Sequence, residues 1–168
     1  MRNRNHMMFA LLLPLAACGS EAPAPVAADK GPPAIFPAGN YEVSALAETL
    51  KAADQFTPAT KHKVGQTEVR TICSPAGDKP AVALFSDTGD TCTATSDYAK
   101  NGRINMSYNC QRPGQGLVTL TFDGKYDEQS FEVAVATGTY FSGQGDYVLT
   151  QRIKGKRLGD CAAPAKAG

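Results

Sequence analysis

Residues 87–89 read Asp87-Thr88-Gly89, the triplet with which aspartic proteases set two carboxylates to share a proton and activate water. The triplet occurs once, so that chemistry would need a second copy of the chain. Its neighbours Ser86, Asp90 and Thr91 are polar where a protease places apolar strand residues, so it reads as a loop turn. His62 lies between Lys61 and Lys63 and reads as solvated rather than as a general base. No Gly-x-Ser-x-Gly elbow is present. Gly114-Gln115-Gly116 and Gly143-Gln144-Gly145 lack the third glycine and following helix of a phosphate-binding loop. These residue types point away from an enzyme, and no cofactor or metal is expected.

Arg152, Lys154, Lys156 and Arg157 cluster on one late segment. They are candidate contacts for an anionic lipid or polymer. The competing reading is a solvated edge strand whose charges discourage strand addition.

The other reactive side chains are cysteines. Cys18 stands apart from Cys73, Cys92, Cys110 and Cys161. Arg2, Arg4 and His6 precede a short apolar run, Met7 to Leu15, too short to span a bilayer as a helix. A basic start, a short apolar core and small residues describe a secretory signal over residues 1–17. Leu15-Ala16-Ala17-Cys18 resembles the lipobox of bacterial lipoproteins, in which the cysteine thiol accepts a diacylglyceryl group. Gly19, where Asp would retain such a protein at the inner membrane, favours the outer membrane facing the periplasm. Several acyl chains at about 0.8 kcal/mol per buried methylene make such an anchor effectively permanent.

Residues 18–38 then read as a tether. Pro23, Pro25, Pro32, Pro33 and Pro37 lie among Ala, Gly and Ser, and such a segment extends at about 3.1 Å per residue. Residues 162–168 read as a disordered tail. Residues 39–161 remain for a single folded domain. Lys+Arg of 17 against Asp+Glu of 16 gives no reason to expect nucleic acid as partner.

An even set of four cysteines in an oxidising compartment reads as two disulfides, with three pairings open. Ile104, Met106, Tyr108 and Cys110 alternate with polar residues, the period of a half-buried strand. A two-residue turn at Asn101-Gly102 would set Cys92 opposite Gln111. A three-residue loop, Lys100-Asn101-Gly102, would pair Tyr98 with Ile104, Ser96 with Met106, Ala94 with Tyr108, and Cys92 with Cys110. That loop predicts Cys92–Cys110 and leaves Cys73–Cys161. Four thiolates on zinc are the alternative, but no C-x-x-C pair exists.

The elements that must carry these residues follow. Tyr41–Leu46 reads as a strand, with helical spacing of Leu46, Leu50 and Ala53 leaving its end open. Glu68–Cys73 is a strand, and Pro80–Phe85 one or two helical turns with Asp78 as cap. Leu117–Phe122 is a strand that Asp123-Gly124 turns back. A return strand from Tyr126 changes parity to Phe131, Val133 and Val135, which suggests a bulge near 127–130. Gly143 and Gly145 mark a turn before Tyr147, Leu149, Gln151 and Ile153. The predicted fold is mainly β: an antiparallel meander of about seven strands, curved or barrel-like, with one short helix and two disulfides.

The chain resembles a widespread family of small Gram-negative envelope proteins and lipoproteins classed only as a domain of unknown function. The resemblance rests on Gly39-Asn40-Tyr41-Glu42-Val43, Cys73-Ser74-Pro75, the Cys92…Cys110 hairpin and Gly155-Lys156-Arg157-Leu158-Gly159-Asp160-Cys161. Many members have Trp where this chain has Met106. The family implies no activity, so no functional residues transfer.

The function expected is non-enzymatic. A membrane-anchored envelope lipoprotein would bind an apolar molecule inside a curved sheet, or another envelope protein. The alternative is an inhibitor of an attacking enzyme such as lysozyme. Ser142-Gly143 before Tyr147 is similar to the Ser-Gly-x-x-Tyr loop of periplasmic lysozyme inhibitors, one residue too long.

Overall fold

A computed structural model of the chain describes residues 31–162. The signal segment, Cys18, the tether up to residue 30 and the tail from residue 163 lie outside the described residues. The chain forms seven strands: β1 (Gly39–Ala52), β2 (Thr67–Ser74), β3 (Thr91–Lys100), β4 (Arg103–Arg112), β5 (Gly116–Tyr126), β6 (Ser130–Phe141) and β7 (Tyr147–Gly159). They make one antiparallel sheet in the order β2-β1-β7-β6-β5-β4-β3. The sheet curls without closing, so β2 and β3 are its edges.

One face is apolar because alternate residues of each strand point the same way. Val43 on β1, Ile153 on β7, Val133 and Val135 on β6, Val118, Leu120 and Phe122 on β5, and Ile104 and Met106 on β4 are all buried. The predicted inward positions on β4 to β7 are all buried, Tyr147 and Leu149 in a second, smaller cluster with Ala47. Phe36, upstream of β1, joins the larger cluster, its ring centroid 5.2 Å from that of Tyr126 and 5.5 Å from that of Tyr41. Gly155 of β7 makes room for Phe131, whose ring lies where a side chain at 155 would stand.

The segment between β2 and β3 crosses the gap the two edges leave. Its predicted helix is a single 3-10 turn, Val82–Leu84. Asp78 does not cap it: the N-cap is Ala81, with no side-chain cap bond. The Ala81 N–H instead donates to Ser74 Oγ at 3.0 Å, which moors the segment to the end of β2. Leu84 and Phe85 are thereby inserted into the core, Phe85 at 4.6 Å from Phe122. The stretch that left β1's end open is strand to Ala52, with an irregularity between Ala47 and Thr49.

Both predicted disulfides are present, Cys73–Cys161 and Cys92–Cys110. Those four sulfurs are therefore not free to bind zinc. The route to the second differs from the three-residue loop expected. Lys100 pairs with Arg103, so the turn has two residues, and Asn101 and Gly102 carry φ of 51° and 77°. That left-handed pair matches the twist of the flanking strands. A register shift between Ala94 and Ser96 then takes up one residue and returns Cys92 to Cys110.

Asp123-Gly124 is not a turn. β5 runs through it to Tyr126, with Gly124 opposite Val133. A Cβ at 124 would lie 2.2 Å from the Glu132 carbonyl oxygen, so this glycine permits close backbone approach. The reversal falls at residues 127–129, where Asp127 Oδ1 accepts the N–H groups of Gln129 and Ser130, both at 2.7 Å. The parity change read as a bulge is this turn.

The basic strand is also not an edge. β7 lies between β1 and β6. Gln151, Ile153 and Gly155 face the core while Arg152, Lys154 and Lys156 face water, an alternation an interior antiparallel strand accommodates.

Candidate functional site

Polar side chains gather at one end of the sheet, where β4 ends, β7 begins, and the loops after β1 and β2 meet. Arg112, at the end of β4, is their centre. Its Nε donates to Asp90 Oδ1 at 2.9 Å, and its Nη2 to Asp90 Oδ2 at 2.7 Å and to Asp87 Oδ2 at 2.8 Å. Its Nη1 donates to the Tyr147 hydroxyl at 2.8 Å. His62 Nε2 lies 3.1 Å from Asp87 Oδ1.

His62 is therefore not solvated. Its side chain is 3% exposed, whereas the preceding Lys61 is 73% exposed. The loop after β1 folds back and lays the imidazole over Asp87. Burial would push the Asp87 carboxyl up, but the His62 hydrogen bond and the charges of His62, Arg112 and Lys61 outweigh it and hold it below the ordinary carboxylate range. Hydrogen bonds to Asp90 dominate at Arg112 and fix its charge. The Asp87-Thr88-Gly89 triplet lies in a turn, with Gly89 at φ 95°. Its carboxylate is engaged by a cation rather than facing a second carboxylate. Among the described residues no hydroxyl or thiol is a partner of the His62 ring. The cluster is built to hold loops together.

The outward face of the sheet is a different surface. Its residues align across strands in rows fixed by the register. One row runs Lys100, Arg103, Lys125, Glu132, Lys154 from β3 to β7. The next toward the polar end holds Tyr98, Asn105, Asp123, Ala134 and Arg152. A further row of small side chains holds Ser107, Thr121, Ala136 and Thr150.

Grooves run over this face. One of about 710 Å³ is lined by Arg103, Asp123, Lys125, Glu132 and Arg152, among others. One of about 600 Å³ includes Glu42, Lys125, Glu132, Lys154 and Lys156. Lys125 and Glu132 belong to both.

Of the residues expected to make surface contacts, Arg152, Lys154 and Lys156 share this face. Arg152 binds Glu48 at 2.8 Å and Glu132 at 3.3 Å, and Lys154 lies 3.8 Å from Glu132. Arg157 is separate: its Nε donates to the Ala38 carbonyl at 2.8 Å and its Nη2 pairs with Asp160 at 2.7 Å. Sequence reasoning missed Lys100, Arg103 and Lys125. The three-residue loop had placed Lys100 in a turn and left the row without its first member.

The model of a family described as "Protein of unknown function (DUF3617)" matches residues 36–161. No curated protein and no solved structure matches the chain.

Proposed function

The chain belongs to that family of proteins of unknown function, so membership brings no activity with it, and from the geometry we propose a membrane-anchored, non-enzymatic binding module of the cell envelope. Cys18 carries the lipid, and the partner is met on the outward face of the sheet. One observation carries the choice of face. The inward face is filled by Phe36, Tyr41, Phe85, Tyr108, Phe122, Tyr126 and Phe131, all buried. Their ring centroids lie 4.6 to 5.8 Å apart in successive contacts. An interior packed this way is occupied by its own side chains, while the outward face has open grooves. An envelope component bound from outside is therefore favoured over a molecule carried within.

Native mass spectrometry of the protein purified from membranes tests this. The expected spectrum shows an acylated Cys18 and no co-purified small molecule inside the domain. A stoichiometric apolar molecule released on denaturation would overturn the choice of face, and an unmodified Cys18 would overturn the anchor. Inhibition of lysozyme by the same preparation would move the reading to an inhibitor. For that role the Ser142–Asp146 turn is the surface to mutate. Asp54 Oδ2 pins it by accepting the N–H groups of Gly145 at 2.7 Å and Asp146 at 3.0 Å.

A further inference from the structure

We propose that Lys100, Arg103 and Lys125, continued by Lys154 and Lys156, form a docking surface for the phosphate-bearing headgroups of an anionic membrane. The proposal rests on the anchored-module reading and names its partner.

The register carries the argument. Lys100 is directly opposite Arg103, and Arg103 is directly opposite Lys125. Directly opposed residues bring their Cβ atoms to about 5 Å, and like charges so placed destabilise a sheet. All three side chains are exposed, and among the described residues none makes an ion pair. Glu132, the acidic residue across from Lys125, has its carboxylate on Arg152 and Lys154 instead. Asp123, in the adjacent row, accepts from Asn105 Nδ2 at 3.1 Å. Lys156, opposite Glu42, likewise makes no ion pair among the described residues. The fold thus sets three cations side by side on neighbouring strands, and among the described residues none of them has an ion-pair partner. An external anion would relieve that repulsion.

Position selects the anion. The chain enters the fold beside this row: the Asn101 N–H donates to the Ala34 carbonyl at 3.1 Å, and Pro32 lines the groove over Arg103 and Lys125. Cys18 lies roughly 13 residues before Gly31, a reach of at most about 45 Å. An anchored domain therefore has this end within reach of its own membrane. Cations one strand apart, at about 4.8 Å, are close enough to share a phosphate group. The interaction draws on the surface potential of anionic lipid and weakens with salt.

The experiment is lysine footprinting of the protein purified from membranes. It is mixed with vesicles of phosphatidylcholine alone, or with a third phosphatidylglycerol, and modified lysines are mapped by mass. Labelling of Lys100, Lys125 and Lys156 is expected to fall by about five-fold on the anionic vesicles. Lys51 and Lys63, exposed at the far end, serve as controls and are expected to change little. Arg103→Glu is expected to abolish protection at Lys100, Lys125 and Lys156 while raising the melting temperature, because it turns its two opposed repulsions into attractions. A purely structural arginine would lower it. Lys156→Gln, outside the opposed trio, should weaken protection without changing the melting temperature. Equal labelling on both vesicles would overturn the proposal, as would equal protection by millimolar inorganic phosphate alone. The mass of the Cys18 peptide from the same sample reports the anchor separately, so failure of the docking surface and failure of the anchor are distinguishable.

Discussion

Arg112 grips Asp90 through both carboxylate oxygens, at 2.9 and 2.7 Å, and the Asp90 side chain is only 1% exposed. Removing the guanidinium leaves a carboxylate out of water with no counter-charge. Arg112→Met is expected to cost about 3–5 kcal/mol in urea unfolding, the usual result of breaking a buried pair from one side. The double variant Arg112→Met/Asp90→Leu should recover much of that loss. If the single variant costs under about 1 kcal/mol, the pair is not desolvated in solution.

Stability should fall at both extremes of pH. Burial, more than any neighbouring charge, pushes the Tyr41 hydroxyl up to about 12 from 10.0. Below pH 10 the folded and unfolded forms are both protonated, and the contribution is fully present. Between pH 10 and 12 the unfolded chain ionises first, so about 2–3 kcal/mol is lost. Tyr41→Phe should flatten that decline, at the cost of about 1 kcal/mol for the bond to the Pro37 carbonyl. Asp87 acts in the opposite sense: its lowered value stabilises the fold above the ordinary carboxylate range, and that is lost as pH falls through the folded value. Unfolding series above pH 9 and below pH 5 measure both.

The two disulfides should differ in worth. Cys73–Cys161 closes 88 residues and Cys92–Cys110 closes 18. In the chain-entropy model the longer loop contributes about 1.4 kcal/mol more. Replacing each pair by alanines and comparing denaturation midpoints tests the order. A larger loss at Cys92–Cys110 would mean that the β3 edge depends on its bond for more than loop entropy.

Gly155→Ala should be costly for so small a change. The added methyl would stand 1.9 Å from the Phe131 ring, which Phe36, Tyr41 and Phe85 surround. Overpacking of about 1–3 kcal/mol is expected. Gly155→Ala/Phe131→Leu should restore part of it, and melting curves of the two variants decide.

Local alternation made the β-class legible, since period-two runs at 104–110, 118–122, 131–135 and 147–153 each named the buried face of a strand. What escaped were properties that no short stretch carries. The register shift near residue 95 belongs to a ladder between two strands, so the Cys92–Cys110 pairing was reached through a loop of the wrong length. Asp123-Gly124 has the composition of a turn, and only Val133 across from it shows why the glycine stays in a strand. The interior position of β7 depends on pairing with β1, more than a hundred residues upstream at Glu42 and Lys156. His62 looked solvated because its burial comes from Asp87, far along the chain. Half of the basic surface was visible as Arg152, Lys154 and Lys156. The remainder emerged only when the correct turn brought Lys100, Arg103 and Lys125 into line.

The pairing of β1 with β7 also bears on when the domain can form. Strands β3 to β6 join by short reversals and can zip up as they emerge. β1 has its β2 hairpin at hand but cannot settle until β7 arrives, and such non-local pairing is slow to form. A chain crossing a membrane from its N-terminus would therefore keep Val43, Ala45 and the edge of β1 uncovered until the last strand has passed. The union of Cys73 with Cys161 likewise waits for the last strand. Oxidation before that moment can offer Cys73 only the wrong partners, Cys92 and Cys110. A chain truncated before Tyr147 would carry an apolar groove and leave Cys73 without its native partner, so completion of synthesis becomes the checkpoint for folding.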